Sequence, residues 1–347
     1  MYLGIEIGGT KLQLGVGPGD GTLAGLWRGP VDVAAGPEGI RRQILGAVPE
    51  LLARAGLDRP QVQGVGIGFG GPVDDATHTI IKSHQIAGWD GFPLAAWIAD
   101  MLGRPAVLGN DADVAGLAEA LFGAGKGLSP VFYITIGSGI GGGLIVNGEI
   151  YRGIGRGAAE IGHLSLEGMR WDDEATVESV ASGCGMAQNA RSGLEFFLEN
   201  ARNLFRREYP ERPLPEPEFV KCNSKVLGGL PDWGRITVPI IVEAAEQGDR
   251  FARDLLNDAL EALAVAICHV IALLCPRRFV IGGGVSLLGE ERLFEPLRKL
   301  VAERVFEPFA GCYDIVPAAL GEEVVVHGAL ALARRRFTEV SKEGKAP

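Results

Sequence analysis

Short apolar, β-branched runs that end in glycine-rich turns recur along this 347-residue chain. Tyr2–Ile7 and residues 12–16 predict one hairpin, and Val131–Ile136 and residues 142–146 predict another. Because the same strand, glycine turn and strand occur twice, we expect two related α/β halves with a cleft between them.

Helical periodicity appears between and after these hairpins. Val114, Leu117, Ala118 and Leu121 lie at i, i+3, i+4 and i+7, which predicts a helix beginning at residues 110–111. Residues 251–275 predict one long helix that leads into a short strand and a third glycine turn. Its most apolar part, residues 262–275, is shorter than the roughly 20 residues that a membrane span needs. We therefore expect a buried helix and no membrane association.

Charge and cysteine content exclude several classes of protein. The chain carries 33 basic and 43 acidic residues, a formal net charge of −10. This excess of acid disfavours binding to nucleic acid or to an anionic membrane. The five cysteines are odd in number and form no CxxC pair, so we expect reduced thiols and a cytoplasmic protein.

Two of the glycine turns predict phosphate binding. Glycine permits positive φ and a close approach of backbone N–H groups to a phosphate. An isolated Gly-Gly is more often an ordinary hairpin turn, but a neighbouring hydroxyl and ammonium group favour a phosphate loop. The candidate residues are Gly8, Gly9, Thr10 and Lys11 in the first turn, and Thr135, Gly137, Ser138 and Gly139 in the second.

A third turn, at residues 282–284, has two interpretations that the sequence leaves equally open. Gly283 and Gly284 suit the approach of a flat nucleoside, and they equally suit a tight entry into a helix.

Polar residues that suit hydroxyl chemistry lie between and after the phosphate loops. One member of the pair Asn110-Asp111 is expected to cap the helix, which leaves Asp111 to accept a proton from a substrate hydroxyl. Glu160 and His163 are candidate hydroxyl ligands, or else a surface glutamate and a core histidine. Glu178 is a third candidate, although a carboxylate in a first helical turn is also ordinary.

As an ordered set, these motifs resemble the ROK family of sugar kinases and repressors over nearly the whole chain except residues 191–235. The segments that carry the resemblance are GIEIGGTK, GIGFGGPVD, GWDGFPL, GNDADVAGLAEALFGAGKG, YITIGSGIGGGLIVNGEI, GAAEIGHLS, VESVASG and FVIGGGVS. The resemblance implies an α/β, actin/hexokinase-like (ribonuclease-H-like) fold of two domains with an interdomain cleft. We expect a smaller domain at residues 1–110, onto which a C-terminal helix at about 325–340 packs. A larger domain would span residues 111–324, with an insertion at about 191–235.

The resemblance also implies roles for individual residues. Asp111 becomes the general base for the sugar hydroxyl. The family's positions for hydrogen bonds to the sugar hydroxyls fall on Asn110, Glu160, His163 and Glu178, and Gly71 lies in a turn beside the sugar. The phosphate loops match Gly8–Lys11 and Thr135–Gly139, with Gly283 and Gly284 on the adenosine side. The implied cofactors are ATP and Mg²⁺, the metal being held mainly through the phosphates.

Three departures from the family pattern stand out. The family's CxCGxxGC zinc motif is missing, because residues 164–177 contain no cysteine, and we expect no zinc. Glu6 replaces the usual aspartate of DxGGT. Gln85 and Gly70 replace an asparagine that contacts the sugar and a proline.

We therefore predict ATP-dependent phosphorylation of a hexose, with glucose converted to glucose 6-phosphate as the first choice. Kinases for N-acetylglucosamine, N-acetylmannosamine, fructose or mannose are alternatives, as is a non-catalytic sugar-binding regulator. The first phosphate loop begins within ten residues of Met1, so we expect no DNA-binding helix-turn-helix before it. The resemblance implies a homodimer or homotetramer.

Overall fold

A computed structural model describes residues 1–83, 86–166, 174–212 and 224–343, with side chains up to residue 338. Its N-terminal sheet has five strands in the order β3-β2-β1-β4-β7. The first three strands are antiparallel neighbours, whereas β1, β4 and β7 run parallel. These strands are β1 (Tyr2–Ile7), β2 (Lys11–Gly17), β3 (Gly25–Pro30), β4 (Val65–Phe69) and β7 (Ala106–Asn110).

A second five-stranded sheet repeats this arrangement in the order β10-β9-β8-β11-β12. Its first three strands are again antiparallel neighbours, and β8, β11 and β12 run parallel. The strands are β8 (Val131–Ile136), β9 (Ile140–Val146), β10 (Glu149–Ile150), β11 (Arg278–Gly282) and β12 (Asp314–Pro317), and a separate small hairpin joins β5 (Val73–Asp74) to β6 (Thr79–Ile80). Both hairpins predicted from the apolar runs are confirmed.

Nine α-helices accompany the sheets in the part of the chain that the structure describes. They are α1 (Gly36–Arg54), α2 (Leu94–Leu102), α3 (Asp111–Phe122), α4 (Val177–Ala181), α5 (Gly183–Glu208), α6 (Val238–Glu246), α7 (Arg250–Leu274), α8 (Glu295–Arg304) and α9 (Val324–Glu343). Helix α9 packs on β1, β4 and α3, while α3 packs on β8 and β9. The two helices therefore lie between the sheets, and their apolar residues share one core with Tyr133 and Val280 of the second sheet.

Glycines let the backbones in this central layer touch. A Cβ added at Gly66 of β4 would lie 1.9 Å from the carbonyl oxygen of Ala329 in α9. A Cβ at Gly328 of α9 would lie 1.9 Å from the carbonyl oxygen of Val114 in α3. Both distances are far shorter than a van der Waals contact between carbon and oxygen. A larger residue at either position would therefore displace α9 from the element it packs against.

Helix α7 confirms the long helix predicted at residues 251–275, with each end shifted by one residue. It is also the one helix in the described ranges that is long and apolar enough to cross a membrane, by length and composition only. Half of its apolar window is buried, and it packs against α4, α5, α6 and α8. A core helix of a folded domain meets the same criteria.

Replacement of Gly328 by alanine tests the close approach of α9 to α3. We expect Gly328→Ala to lower the free energy of unfolding by about 1–3 kcal/mol, because the added methyl group overpacks the contact. Gly46→Ala is the matched control, since Gly46 lies in helix α1 with no atom within 4 Å of an added Cβ. That variant should gain about 0.5–1 kcal/mol from helix propensity. Chemical denaturation compares the two, and equal effects would contradict the close packing.

Candidate active site

The site is centred where strand β7 runs directly into helix α3. Asn110 is the N-cap of α3, because its Oδ1 accepts hydrogen bonds from the backbone N–H groups of Ala112 and Asp113 at 2.9 and 3.3 Å. Its Nδ2 donates to the carbonyl oxygen of Gly71 at 3.0 Å, which ties the turn after β4 to the start of the helix. The cap expected at this pair is confirmed and falls on Asn110.

Asp111 is the first residue of α3. Its Oδ1 accepts a hydrogen bond from the N–H of Ala112 at 2.9 Å, and its own backbone N–H is a second donor to the carboxyl group. Burial, with a smaller contribution from the charge of Glu160, raises the pKa of Asp111 to about 6, against the opposing backbone hydrogen bonds and the charge of Lys11. Residues from three separate elements thus act on this one carboxyl group.

The buried Glu6 forms an ion pair with the partly exposed Lys11 beside the first glycine turn. Lys11 Nζ lies 3.1 Å from Glu6 Oε1 and donates to the carbonyl oxygen of Glu322 at 3.2 Å. Gln13 Nε2 donates to Glu6 Oε2 at 3.0 Å. Burial raises the pKa of Glu6 to about 7 despite Lys11, and the charge of Asp111 contributes to the rise. The ammonium group expected to face a phosphate is thus held by a carboxylate in this structure.

The backbone of both phosphate-loop candidates differs from the expected one. No glycine of either loop has positive φ. In the first loop, the N–H of Gly8 donates to the carbonyl oxygen of Lys11. In the second loop, the N–H of Gly137 donates to the carbonyl oxygen of Gly139, so each loop is closed by an internal hydrogen bond. These glycines therefore do not use the positive φ that glycine permits. A Cβ at Gly137 would meet no atom within 4 Å.

The start of helix α5 holds the second loop. The N–H groups of Gly183 and Cys184 donate to the carbonyl oxygens of Gly137 and Ser138 at 2.8 and 3.2 Å. These bonds use two of the N–H groups that a helix N-terminus leaves unpaired. Helix α5 therefore fixes the conformation of the second loop. In the first loop, the side chain of Thr10 is exposed.

Three further glycines, in strand β9, serve packing. A Cβ at Gly143 would lie 2.9 Å from the carbonyl oxygen of Ala112, and one at Gly141 would lie 3.0 Å from the Cβ of Ala112. At Gly142 it would lie 2.2 Å from the carbonyl oxygen of Ala159. These glycines let the first turn of α3 and the segment before Glu160 lie directly on the strand.

Glu160 and His163 belong to a segment that packs closely on β9. Glu160 precedes a short helical turn, Ile161–His163, and His163 ends it. This turn approaches β9 closely, since a Cβ at Gly162 would lie only 2.2 Å from the carbonyl oxygen of Ile140. Both side chains are exposed. The core interpretation of His163 is therefore wrong, whereas Glu160 lies close enough to raise the pKa of Asp111.

Glu178 reaches the second glycine turn from helix α4. It lies in the first turn of that helix, as expected, and its Oε2 accepts a hydrogen bond from the N–H of Ile140 at 2.6 Å. A Cβ at Gly139 would lie 2.5 Å from the same oxygen. The glutamate thus links a candidate sugar-binding position to the candidate phosphate loop.

The third glycine turn lies against the end of strand β8. Gly283 has a φ of 86°, and a Cβ there would lie 2.5 Å from the carbonyl oxygen of Ile136. Gly283 also precedes a short helical turn, Gly284–Leu288, so its role in helix entry is real. A Cβ at Gly284 would meet nothing within 4 Å, which leaves space beside the second loop.

The sequence did not predict a buried cluster of acidic and basic residues beside the first turn of α3. Asp113 is only 3% exposed, and burial raises its pKa to about 8 against the opposing charge of Arg152. Arg152 forms an ion pair with Asp75 of the β5–β6 hairpin, and the N–H of Asp75 donates to the carbonyl oxygen of Gly155. Asp113, Arg152 and Asp75 come from three different parts of the chain, so no local sequence pattern predicted that they would lie together.

Two earlier expectations concern residues outside the described ranges. Gln85 lies there, and so do residues 167–173 of the interval without cysteine. Within the ranges described, no group of three or more His, Cys, Asp or Glu side chains is arranged to hold a metal ion.

Two repeated sheets with a helix N-terminus between them define an actin/hexokinase-like protein. The chain belongs to the ROK family, whose model matches residues 2–336. It is 29% identical to the glucokinase of Thermotoga maritima (96% of this chain and 98% of that one) and 34% identical to a putative fructokinase of Bacillus subtilis (99% of each). The structure of a ROK family glucokinase from Streptomyces griseus in complex with glucose and AMPPNP is 30% identical, with a TM-score of 0.71 over 96% of this chain and 99% of that one.

Asp113 predicts an unusual pH dependence of stability. Its pKa is about 8 in the folded protein against an ordinary value of 3.8, so the unfolded chain binds fewer protons between these values. Stability therefore falls as pH rises from about 4 to about 8. Asp113→Asn removes this loss and should be more stable than the parent by about 1–3 kcal/mol at pH 9, with little difference at pH 4.

Urea denaturation across pH measures this difference. Asp254→Asn, at an exposed position of α7, is the control and should follow the parent curve. Parallel curves for Asp113→Asn and the parent would show that Asp113 is ionised at neutral pH.

Proposed function

We propose that this protein is an ATP-dependent hexokinase that phosphorylates the 6-hydroxyl of glucose. The observation that carries the proposal is the carboxyl group of Asp111, held at the N-terminus of α3 within the electrostatic reach of Lys11 and Glu160. The glucokinase relatives support the choice of reaction and of sugar.

Asp111 acts as the general base. With a pKa of about 6, it is largely ionised at neutral pH and still basic enough to accept a hydroxyl proton. Phosphoryl transfer has a loose transition state, so the hydroxyl needs little deprotonation before attack. The cap at Asn110 orients the carboxylate, because it fixes the first turn of the helix.

The sugar is held by groups on both sides of Asp111. Asn110, Glu160, His163 and Glu178 are the proposed partners of its hydroxyl groups, with the turn at Gly71 beside it. Two of these four are exposed, as ligand-binding side chains are before a substrate covers them. Carboxylates accept hydrogen bonds from hydroxyls, and the amide and imidazole both donate and accept.

The phosphates of ATP lie between the two loops in this proposal. The first loop contributes Gly8, Gly9, Thr10 and Lys11, and the second contributes Thr135, Gly137, Ser138 and Gly139. Lys11 is shared with Glu6, so the ion pair holds the ammonium group in place for a phosphate oxygen. The adenosine lies beside the turn at Gly283 and Gly284, where the space at Gly284 accommodates it.

The acidic groups at the phosphate side fit a magnesium ion. Asp111 raises the pKa of Glu6, which shows that the two carboxyl groups repel each other, and a divalent cation relieves such repulsion. The phosphates would hold most of the Mg²⁺ coordination sphere, and Glu6 would contact a water molecule bound to the ion. When bound, the ion neutralises charge that develops on the transferred phosphoryl group.

The remaining expectations are part of the same proposal. We propose that residues 1–110 with the C-terminal helix, and residues 111–324 with the insertion at 191–235, form two domains that close over the substrates and exclude water. We further propose a cytoplasmic homodimer or homotetramer without zinc.

A fructose kinase is the second candidate, because the relative with 34% identity is a putative fructokinase. Residue 85 is the position where the family pattern differs near the sugar. The sequence of the described site does not separate the two hexoses, since both offer a primary hydroxyl to the base.

Substitution of Asp111 tests the general base. We expect Asp111→Asn to lower kcat about 100- to 10,000-fold, because the amide cannot accept the proton. Calorimetry should show that ATP and glucose still bind. In the parent enzyme, kcat should fall about tenfold per pH unit below about pH 6, where Asp111 becomes protonated. Asp100→Asn on the exposed face of α2 is the control, and a similar rate for both variants would remove Asp111 from the mechanism.

An ADP-release assay over five sugars tests the substrate. With MgATP and glucose, fructose, mannose, N-acetylglucosamine or N-acetylmannosamine, we expect kcat/KM to be highest for glucose. A tenfold preference for fructose would establish the second candidate. No turnover with any sugar, in a protein that binds one of them by calorimetry, would indicate a non-catalytic sugar-binding protein.

A further inference from the structure

A second cavity lies on the flank of helices α3 and α9, lined by side chains other than those proposed to bind sugar or ATP. Its volume is about 510 Å³, within the range of small-molecule sites. Elements of both sheets line it, together with the β5–β6 hairpin. The polar lining consists of Asp75, His78, Glu149, Arg152, Arg335 and Arg336.

Three guanidinium groups face this cavity against two carboxylates. Arg152 pairs with Asp75, and Arg335 pairs with Glu149. Arg336 has no ion-pair partner in the described part of the chain, so the lining has one surplus positive charge. In a protein with a formal net charge of −10, such a surplus at a cavity is unexpected for a purely structural surface.

The run Arg334-Arg335-Arg336 explains how the surplus arises. Arg334 donates to the carbonyl oxygen of Gly19 on one side of α9, and Arg335 is neutralised by Glu149. The third arginine extends to the cavity, where its planar guanidinium suits bidentate contact with an oxyanion.

His78 also lines the cavity, and one of its ring nitrogens is unsatisfied. Its Nδ1 is buried without a hydrogen-bond partner, and its ring is hydrogen-bonded to the backbone of Leu108 in β7. Burial lowers the pKa of His78, the charge of Arg336 lowers it further, Asp75 opposes the shift, and Arg152 adds to it. The imidazole is thus neutral at pH 7 and would become a donor if an anion were bound nearby.

We propose that this cavity is a second ligand site, which binds a phosphate group between Arg336 and His78, either as free phosphate or as the phosphate ester of a small metabolite. A phosphate oxygen accepts from the guanidinium fork and from the protonated imidazole. The volume exceeds that of a phosphate ion and leaves room for the rest of an ester.

A ligand at this position touches parts of both halves of the fold. His78 and Asp75 belong to the hairpin that follows β4 of the first sheet, Arg152 follows β10 of the second sheet, and Arg336 belongs to α9. Arg152 also lies near Asp113 in the first turn of α3. A bound phosphate would therefore contact both halves of the fold on the side of α3 away from the candidate active site. This inference does not depend on whether the protein is a kinase.

Histidine NMR provides a local readout of the site in the full-length protein. The chain has five histidines, and His78→Gln assigns the signal of residue 78. We expect the titration midpoint of His78 to rise by about one pH unit when inorganic phosphate is added, because a bound dianion stabilises the imidazolium. Parallel titrations with glucose 6-phosphate distinguish free phosphate from a phosphate ester, since the tighter ligand produces the shift at lower concentration.

Two matched substitutions complete the test. Arg336→Gln removes the exposed guanidinium and should abolish the shift, while Arg42→Gln removes an exposed guanidinium from α1 and should leave it intact. The proposal is overturned if neither compound moves the His78 signal at millimolar concentration, or if Arg336→Gln responds like the parent. Because the measurement follows His78 and not turnover, it is unaffected by a failure of the proposed hexokinase activity.

Discussion

The start of helix α3 is held between two other backbones, and the candidate active site depends on this constraint. On one side, a Cβ at Gly143 of strand β9 would lie 2.9 Å from the carbonyl oxygen of Ala112. On the other side, a Cβ at Gly328 of α9 would lie 1.9 Å from the carbonyl oxygen of Val114. Contacts between main chains leave little freedom for side-chain adjustment, so the helix cannot shift without moving a sheet. The packing of α3 against both neighbours thus determines the position of the Asp111 carboxyl group.

Burial of acidic side chains is the second feature that determines the chemistry of the site. Glu6, Asp111 and Asp113 all have raised pKa values, and burial is the largest cause for each of them. Carboxyl groups in such surroundings cost free energy when ionised, and proteins retain them where the charge or the proton is used. Asp111 uses its pKa of about 6 in the proposed proton transfer. Asp113, with a pKa of about 8, is mostly protonated at neutral pH and does not compete with it.

Local features of the sequence predicted the fold well and the site in part. The hairpins, the long helix α7 and the cap at Asn110 follow from periodicity and residue type within a few positions, which is the range over which such patterns act. The pairing of Lys11 with Glu6, and the role of the glycines in β9, depend on which backbone lies opposite. That information is absent from any short segment. The buried group around Asp113 needs three distant segments at once and had no sequence signal.

The hydrogen bond between Glu178 and the N–H of Ile140 joins two kinds of recognition in one contact. A ligand that rotates this carboxylate would lengthen its hydrogen bond to the N–H of Ile140. A hydroxyl that competes for this oxygen would therefore loosen the glycine turn beside it, and a turn reshaped by nucleotide would in return alter the carboxylate. By thermodynamic reciprocity, the two ligands of such an enzyme must each change the affinity of the other by the same factor.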